Sequence, residues 1–216
     1  MKDQRIRGFK IILLICFISS TALAITPQEI KESYQKSYNY EKIQDYTNAL
    51  RALNPVYEAY PEGYTINLRL GWLYYLNSNL ANSVFHYQQA VKKSPNAIDA
   101  KLGLMLPLMA QAKYKEVESL CYRVINTDYY NYTANLKLAY VLRLQQKYDL
   151  AQKVLDKMLT IFPIDVALLS ELALIREADG DLEQASAIFW DVLILDPENT
   201  AARAYFARQP AEKPAE

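Results

Sequence analysis

The sequence predicts an all-α solenoid of about five helix pairs, closed by a short C-terminal capping helix. Three observations carry that expectation. Pro61, Pro95, Pro163 and Pro197 fall on one grid: the first two and the last two are 34 residues apart, and the middle pair twice that. On the same grid, apolar and small residues recur in fixed columns. Between the columns the spacing is that of helix faces rather than of strands. A period of this length is the mark of stacked supersecondary units.

The grid divides the chain without gaps into units 30–63, 64–97, 98–131, 132–165 and 166–199. Column 7 reads Lys36, Leu70, Leu104, Leu138, Leu172, and column 8 reads Ser37, Gly71, Met105, Ala139, Ala173. With columns 4 and 11 these share one face of a first helix, A. Columns 20, 24, 27 and 28 share a face of a second helix, B; column 20 reads Ala49, Ser83, Val117, Ala151, Ala185. Small residues at 8 and 20 allow the two helices to approach closely. The turns between them are polar, as in Asn77-Ser78-Asn79 and Ala178-Asp179-Gly180-Asp181, where Gly180 suits a left-handed C-cap. Asn131, Asp165 and Asn199 offer N-caps for the following helix A.

The ends complete the pattern. Thr26-Pro27-Gln28-Glu29 reads as a capping box with proline in the first turn. Residues 200–208, "TAARAYFAR", form the expected capping helix, and 209–216 an expected disordered tail. Pro55 and Pro107 fall inside expected helices, where each is read as a tolerated kink. At "DYYNY" (128–132) Tyr129 replaces the junction proline. It is expected to pack between the third and fourth units, with Tyr130 as a surface contact near the groove edge.

Residues 1–24 read as a cleaved secretory signal: a basic segment with Lys2, Arg5, Arg7 and Lys10, an apolar run, and Ala22-Leu23-Ala24. The run is short of the roughly 20 apolar residues of a spanning helix. The expected location is periplasmic or secreted, with an uncleaved inner-membrane anchor as the alternative. Without that segment's four basic residues and Asp3, 20 basic groups face 23 acidic ones. That balance provides no field for nucleic acid, and no membrane span is expected in the mature chain. Only Cys121 of the two cysteines lies outside the signal, so no internal disulfide is expected.

The columns resemble the tetratricopeptide repeat family over residues 30–199. "RLGWLYYLNSNLANSVFHYQQAVKKSPN" and "ELALIREADGDLEQASAIFWDVLILDPEN" carry the resemblance. Unit one departs at Lys36 and Ser37, and unit three lacks the family's glycine and proline. The resemblance implies a right-handed superhelix with helices A lining a concave groove at columns 2, 5, 9, 12 and 13. Those columns supply the candidate partner-binding residues Tyr34, Tyr38, Trp72, Tyr75, Leu106, Met109, Tyr140 and Arg143. Aromatic side chains suit such a role because they give large contact area at little entropic cost. One subset of the family grips a chaperone C-terminal carboxylate with asparagines and lysines. The matching residues here are Tyr34, Tyr38, Arg69 and Lys137; the asparagines are absent and that function is not carried over. Arg69, Lys137 and Arg143 are expected to meet an acidic segment.

No catalytic, cofactor-binding or metal-binding residues are expected. His86, the single histidine, falls in a packing column of helix B, and Cys121 falls in a core column. Glu171 and Glu177 are what a solvated helix face carries. The expected function is an exported scaffold that binds a protein or peptide in its groove, within a multi-protein complex of the cell envelope. The alternative is a glycan-handling module of a polysaccharide secretion system.

Overall fold

The computed structural model describes residues 25–208. The expected signal segment 1–24 and tail 209–216 lie outside them. The described residues form twelve helices joined by short turns. Unit one contributes α1 (Pro27–Lys42), α2 (Tyr46–Arg51) and α3 (Asn54–Ala59). Then come the pairs α4 (Tyr64–Leu76) and α5 (Leu80–Lys93), α6 (Ile98–Ala110) and α7 (Tyr114–Ile125), α8 (Tyr132–Leu144) and α9 (Tyr148–Leu159), and α10 (Val166–Asp179) and α11 (Leu182–Leu195). The last, α12 (Thr200–Arg208), starts at column 1 of a sixth unit. The fold is the expected all-α solenoid of stacked helix pairs.

Helix starts follow from local chemistry. The Thr26 hydroxyl accepts from the Glu29 N–H, and the Glu29 carboxylate reaches back to the Thr26 N–H at 2.7 Å, which is a closed capping box. Asn131 and Asp165 accept from the N–H three residues on, as expected. Asn199 does the same for Ala202.

The A-to-B turns share one geometry that the sequence signals only once. Column 15 is left-handed in all five units: Gln44 (φ 61°), Ser78 (57°), Ala112 (54°), Gln146 (60°) and Gly180 (89°). The column 16 N–H bonds the column 11 carbonyl at 2.9 Å each time, as in Lys113 to Leu108 and Asp181 to Arg176. This is the six-to-one closure of a Schellman motif. Four of the five left-handed residues are not glycine and bear the steric cost of that conformation.

The helix B faces form the core. Ala49, Leu53, Ala90, Val117, Cys121, Val124, Ala151, Leu155, Met158, Ala185, Phe189 and Val192 are all fully buried. Column 24 also buries the ring of Tyr87. A Cβ on Gly71 would lie 2.8 Å from its ring, and one on Gly103 only 2.2 Å. The two glycines make room for that ring on α4 and α6.

The prolines differ from each other. Pro107 lies inside α6, as expected. Pro55 does not kink a continuous helix: helix B of unit one ends at Arg51 and restarts at Asn54 with Pro55 in its first turn. The physical reason is that a first-turn residue needs no N–H partner within the helix. Tyr129 is not packed between units but 57% exposed, edge-on to Tyr130 at 4.9 Å with the Lys157 ammonium 4.1 Å over its ring. Its backbone does what the proline's does elsewhere. Asn135 Nδ2 donates to the Tyr129 and Asn131 carbonyls, as Asn67 Nδ2 donates to those of Pro61 and Gly63. A column 4 asparagine therefore fixes the junction whether or not column 32 is proline.

Candidate functional site

Consecutive helices A meet side by side, and at three rungs, the first, third and fourth, the column 12 residue faces the column 6 residue of the next unit, 28 positions on. This ladder determines what the concave face offers. At the first rung Glu41 and Arg69 form an ion pair, with Arg69 only 8% exposed. Glu41 also accepts from the Trp72 indole N–H at 2.6 Å, and Arg69 donates to Ser37 Oγ at 3.1 Å. The Arg69 guanidinium lies 3.9 Å over the Tyr38 ring. Tyr34 is half-buried against the first core cluster, and burial raises its hydroxyl pKa. Tyr75 is tilted against Trp72, ring centroids 6.0 Å apart. Four of the eight candidate residues are thus tied to one glutamate–arginine hub or to the core beside it.

At the fourth rung the charges reverse. Arg143 Nε donates to Glu171 Oε1 at 2.5 Å and its second nitrogen to Oε2 at 3.3 Å. Glu171 is buried, so it is not the solvated carboxylate that its type and column suggest. The Arg143 guanidinium also lies 5.3 Å from the Tyr140 ring centre.

The third rung lacks a carboxylate. Met109 stands in column 12, and among the described residues Lys137 Nζ meets only its sulfur, at 3.8 Å. Here the groove opens into a cleft of about 510 Å³ between α6, α8 and α10. Met109, Leu136, Tyr140 and Val166 supply apolar walls, and Lys137 and Glu171 the charged ones. Ser170, also in the lining, has a buried Oγ with no hydrogen-bond partner among the described residues. Leaving such a group unpaired costs about 1–3 kcal/mol, which a ligand donor or acceptor can recover. Leu106 is half-buried on α6 outside this cleft.

The structure therefore divides the predicted stripe. Met109 and Tyr140 line the cleft and Arg143 braces its far wall through Glu171. Tyr34, Tyr38, Trp72 and Tyr75 gather one to two units away. Of the three cations expected to meet an acidic segment, two already hold carboxylates of this chain, and Lys137 holds none among the described residues. Leu136, Val166, Ser170 and Glu171 were missed as site residues. Leu136 and Ser170 stand in column 5, one of the expected groove columns, while the signal for Glu171 was the offset of 28 between columns 12 and 6, which identifies facing pairs without naming a ligand.

Two groups that drew attention in the sequence are structural. His86 is 6% exposed, stacked on Tyr74 at 5.2 Å, with Tyr57 and Phe85 edge-on. Asn67 gives both amide hydrogens to carbonyls, so its oxygen accepts the His86 Nδ1 hydrogen at 2.9 Å. Burial pushes the His86 pKa down to about 4. Burial likewise pushes the Cys121 thiol up to about 12, which leaves little thiolate at neutral pH. Among the described residues, no three His, Cys, Asp or Glu side chains gather to hold a metal ion. No described helix is long and apolar enough to cross a membrane.

Comparison with known proteins agrees with this architecture. Tetratricopeptide repeat models match residues 34–98 and 133–163. The crystal structure of a MamA protein is similar at 17% identity and a TM-score of 0.70, covering 88% of this chain and all of that one. A tetratricopeptide repeat protein from Parabacteroides merdae is similar at 17% identity and a TM-score of 0.77, covering 83% of this chain and 72% of that one. Residues 41 to the end of MamA from Desulfovibrio magneticus are similar at 15% identity and 0.73, covering 82% and 99%. No curated protein matches the chain. The repeat period, the matched segments and the shared solenoid agree: residues 34–98 and 133–163 match tetratricopeptide repeats, and the described residues share the fold of these structures.

Proposed function

We propose that this protein is an exported scaffold that binds an extended segment of another protein through the C-terminal half of its concave face. The observation that carries the reading is the cleft at Lys137. It combines apolar walls with a cation and a buried serine oxygen that have, among the described residues, no carboxylate partner and no hydrogen-bond partner respectively. A segment with an acidic group beside an apolar side chain satisfies all three. The glycan alternative is less well supported. Sugar stacking needs free ring faces, whereas Arg69 covers one face of Tyr38 and Trp72 is partly buried against two core clusters.

Export and membership of an envelope complex are part of the proposal and rest on residues 1–24. Cell fractionation with N-terminal sequencing checks them; a mature chain beginning at Ile25 is the expected result. For the groove, peptide arrays of extracytoplasmic proteins should select acidic segments. Lys137→Ala and Tyr140→Ala should each weaken the selected peptides about tenfold or more, equivalent to about 1.4 kcal/mol. Undiminished binding by both variants would remove the cleft from the proposal.

A further inference from the structure

A second cleft, of about 520 Å³, lies on the helix B side, between α5 and α7 with α6 beneath them. It shares no lining residue with the concave cleft. The repeat columns account for it. At the junction of units one and two, Tyr57 (column 28), Tyr74 (column 11) and Phe85 (column 22) gather on His86, their ring centroids 5.0–5.2 Å from its own. At the junction of units two and three the same columns carry Val91, Leu108 and Ser119, all in the cleft lining. Smaller side chains thus replace three rings, and space between the helices stays open. Its floor is apolar, with Leu104 and Leu120 beside Val91 and Leu108.

The rim is cationic. Lys92, Lys115 and Arg123 stand there in columns 29, 18 and 26. The other junctions read Glu58, Ala81 and Gln89, then Asn126, Asp149 and Lys157, then Thr160, Glu183 and Asp191, so this one alone has a cation in all three columns. None of its three cations pairs with a carboxylate among the described residues. Helix α5 carries no acid, and the single acid of α6, Asp99, is not in the lining. Of the two acids on α7, Glu116 lies on the rim 3.9 Å from Lys113, and Glu118 is held by Lys147 and Gln145.

Behind the rim a neutral acceptor is replaced by charge. In unit four the column 26 ammonium of Lys157 donates to Asn135 in column 4. In unit three column 4 is Lys101, only 2% exposed, and burial, then the nearby Arg123 charge, lower its pKa. Two cations stand where unit four pairs a cation with an amide oxygen.

We infer that this cleft binds an acidic segment of another protein through one aromatic side chain, which enters where Tyr57, Tyr74 and Phe85 stand one unit earlier. The earlier junction shows the shape that these columns accept. The unpaired cations select carboxylates on either side of the ring, and the ring supplies the contact area. The inference is independent of the concave cleft, from which it differs in every lining residue.

The test is fluorescence anisotropy of a labelled peptide, EDFDE, titrated with the full mature chain carrying Lys137→Ala, so that the concave cleft does not contribute. Expected is saturable binding that the peptides EDADE and QNFNQ weaken about tenfold or more. Ser119→Phe refills the cleft as Phe85 does at the earlier junction. It should abolish binding without lowering the thermal midpoint, since Ser119 is exposed. Arg123→Glu, also at an exposed position, should weaken binding about tenfold or more. Absence of saturable binding, binding that either variant retains in full, or equal binding of EDFDE and QNFNQ each overturns the inference. Phosphatidylglycerol vesicles that bind the chain when EDFDE does not, and are lost in Ser119→Phe, overturn it too, by naming a lipid as the occupant.

Discussion

The two ends of the concave face use the same ladder to opposite effect. In units one and two, column 12 supplies Glu41 and column 6 supplies Arg69, and Ser37, the Trp72 indole and the Tyr38 ring join the pair. In units four and five, Arg143 and Glu171 repeat the pair with its charges exchanged. Between them one rung carries methionine and lysine, and there the face opens. The difference teaches that an aromatic stripe is not by itself a site. Where the rings have partners within the chain they brace the superhelix; where a rung lacks a partner, binding capacity remains.

The largest expected effect breaks the symmetry of the two ion pairs. Arg143→Ala strands a buried carboxylate and should lower unfolding free energy by about 3–5 kcal/mol. Glu41→Ala strands Arg69 and should act in the same direction. Arg143→Leu with Glu171→Leu should recover most of the loss in chemical denaturation, since neither charge is then left alone. If Arg143→Ala is silent, the C-terminal rung is not a brace and the comparison fails.

Next is a pH effect confined to the N-terminal side. The His86 pKa is depressed to about 4 from 6.5, so the unfolded chain binds the extra proton first. Stability from this group is whole above pH 6.5 and is lost as pH falls to about 4, by at most about 3 kcal/mol. His86→Gln, which keeps a donor toward Asn67, should flatten the slope of stability in that window.

A packing change between the two ends follows. Gly103→Ala places a Cβ 2.2 Å from the Tyr87 ring. It should destabilise by about 1–3 kcal/mol despite alanine's better helix propensity. Gly71→Ala, at 2.8 Å, should cost less. The smallest effect is uniform along the chain. Ala112→Gly and Gln146→Gly should each stabilise by a few tenths to about 1 kcal/mol, by removing the left-handed penalty. Thermal melts of the single variants separate these from each other.

The sequence by itself determined the period, the pairing of helices A and B, the caps at Thr26, Asn131, Asp165 and Asn199, and the core columns. These are local: a helix face and a cap are set by residues within one or two turns. It signalled the left-handed turn only at Gly180, because the other four turns are enforced by the hairpin closing rather than by a permissive residue. Asn135 holding the Tyr129 junction was likewise invisible, since a buried asparagine looks like any polar residue until its carbonyl partners are placed.

What the tertiary structure alone decided is which charged side chains are already satisfied. Arg69, Lys137 and Arg143 look alike in the sequence. Two are neutralised by carboxylates 28 residues away and one is not. The physical reason is that pairing energy depends on distance between side chains of neighbouring helices, and that distance exists only once the units have stacked.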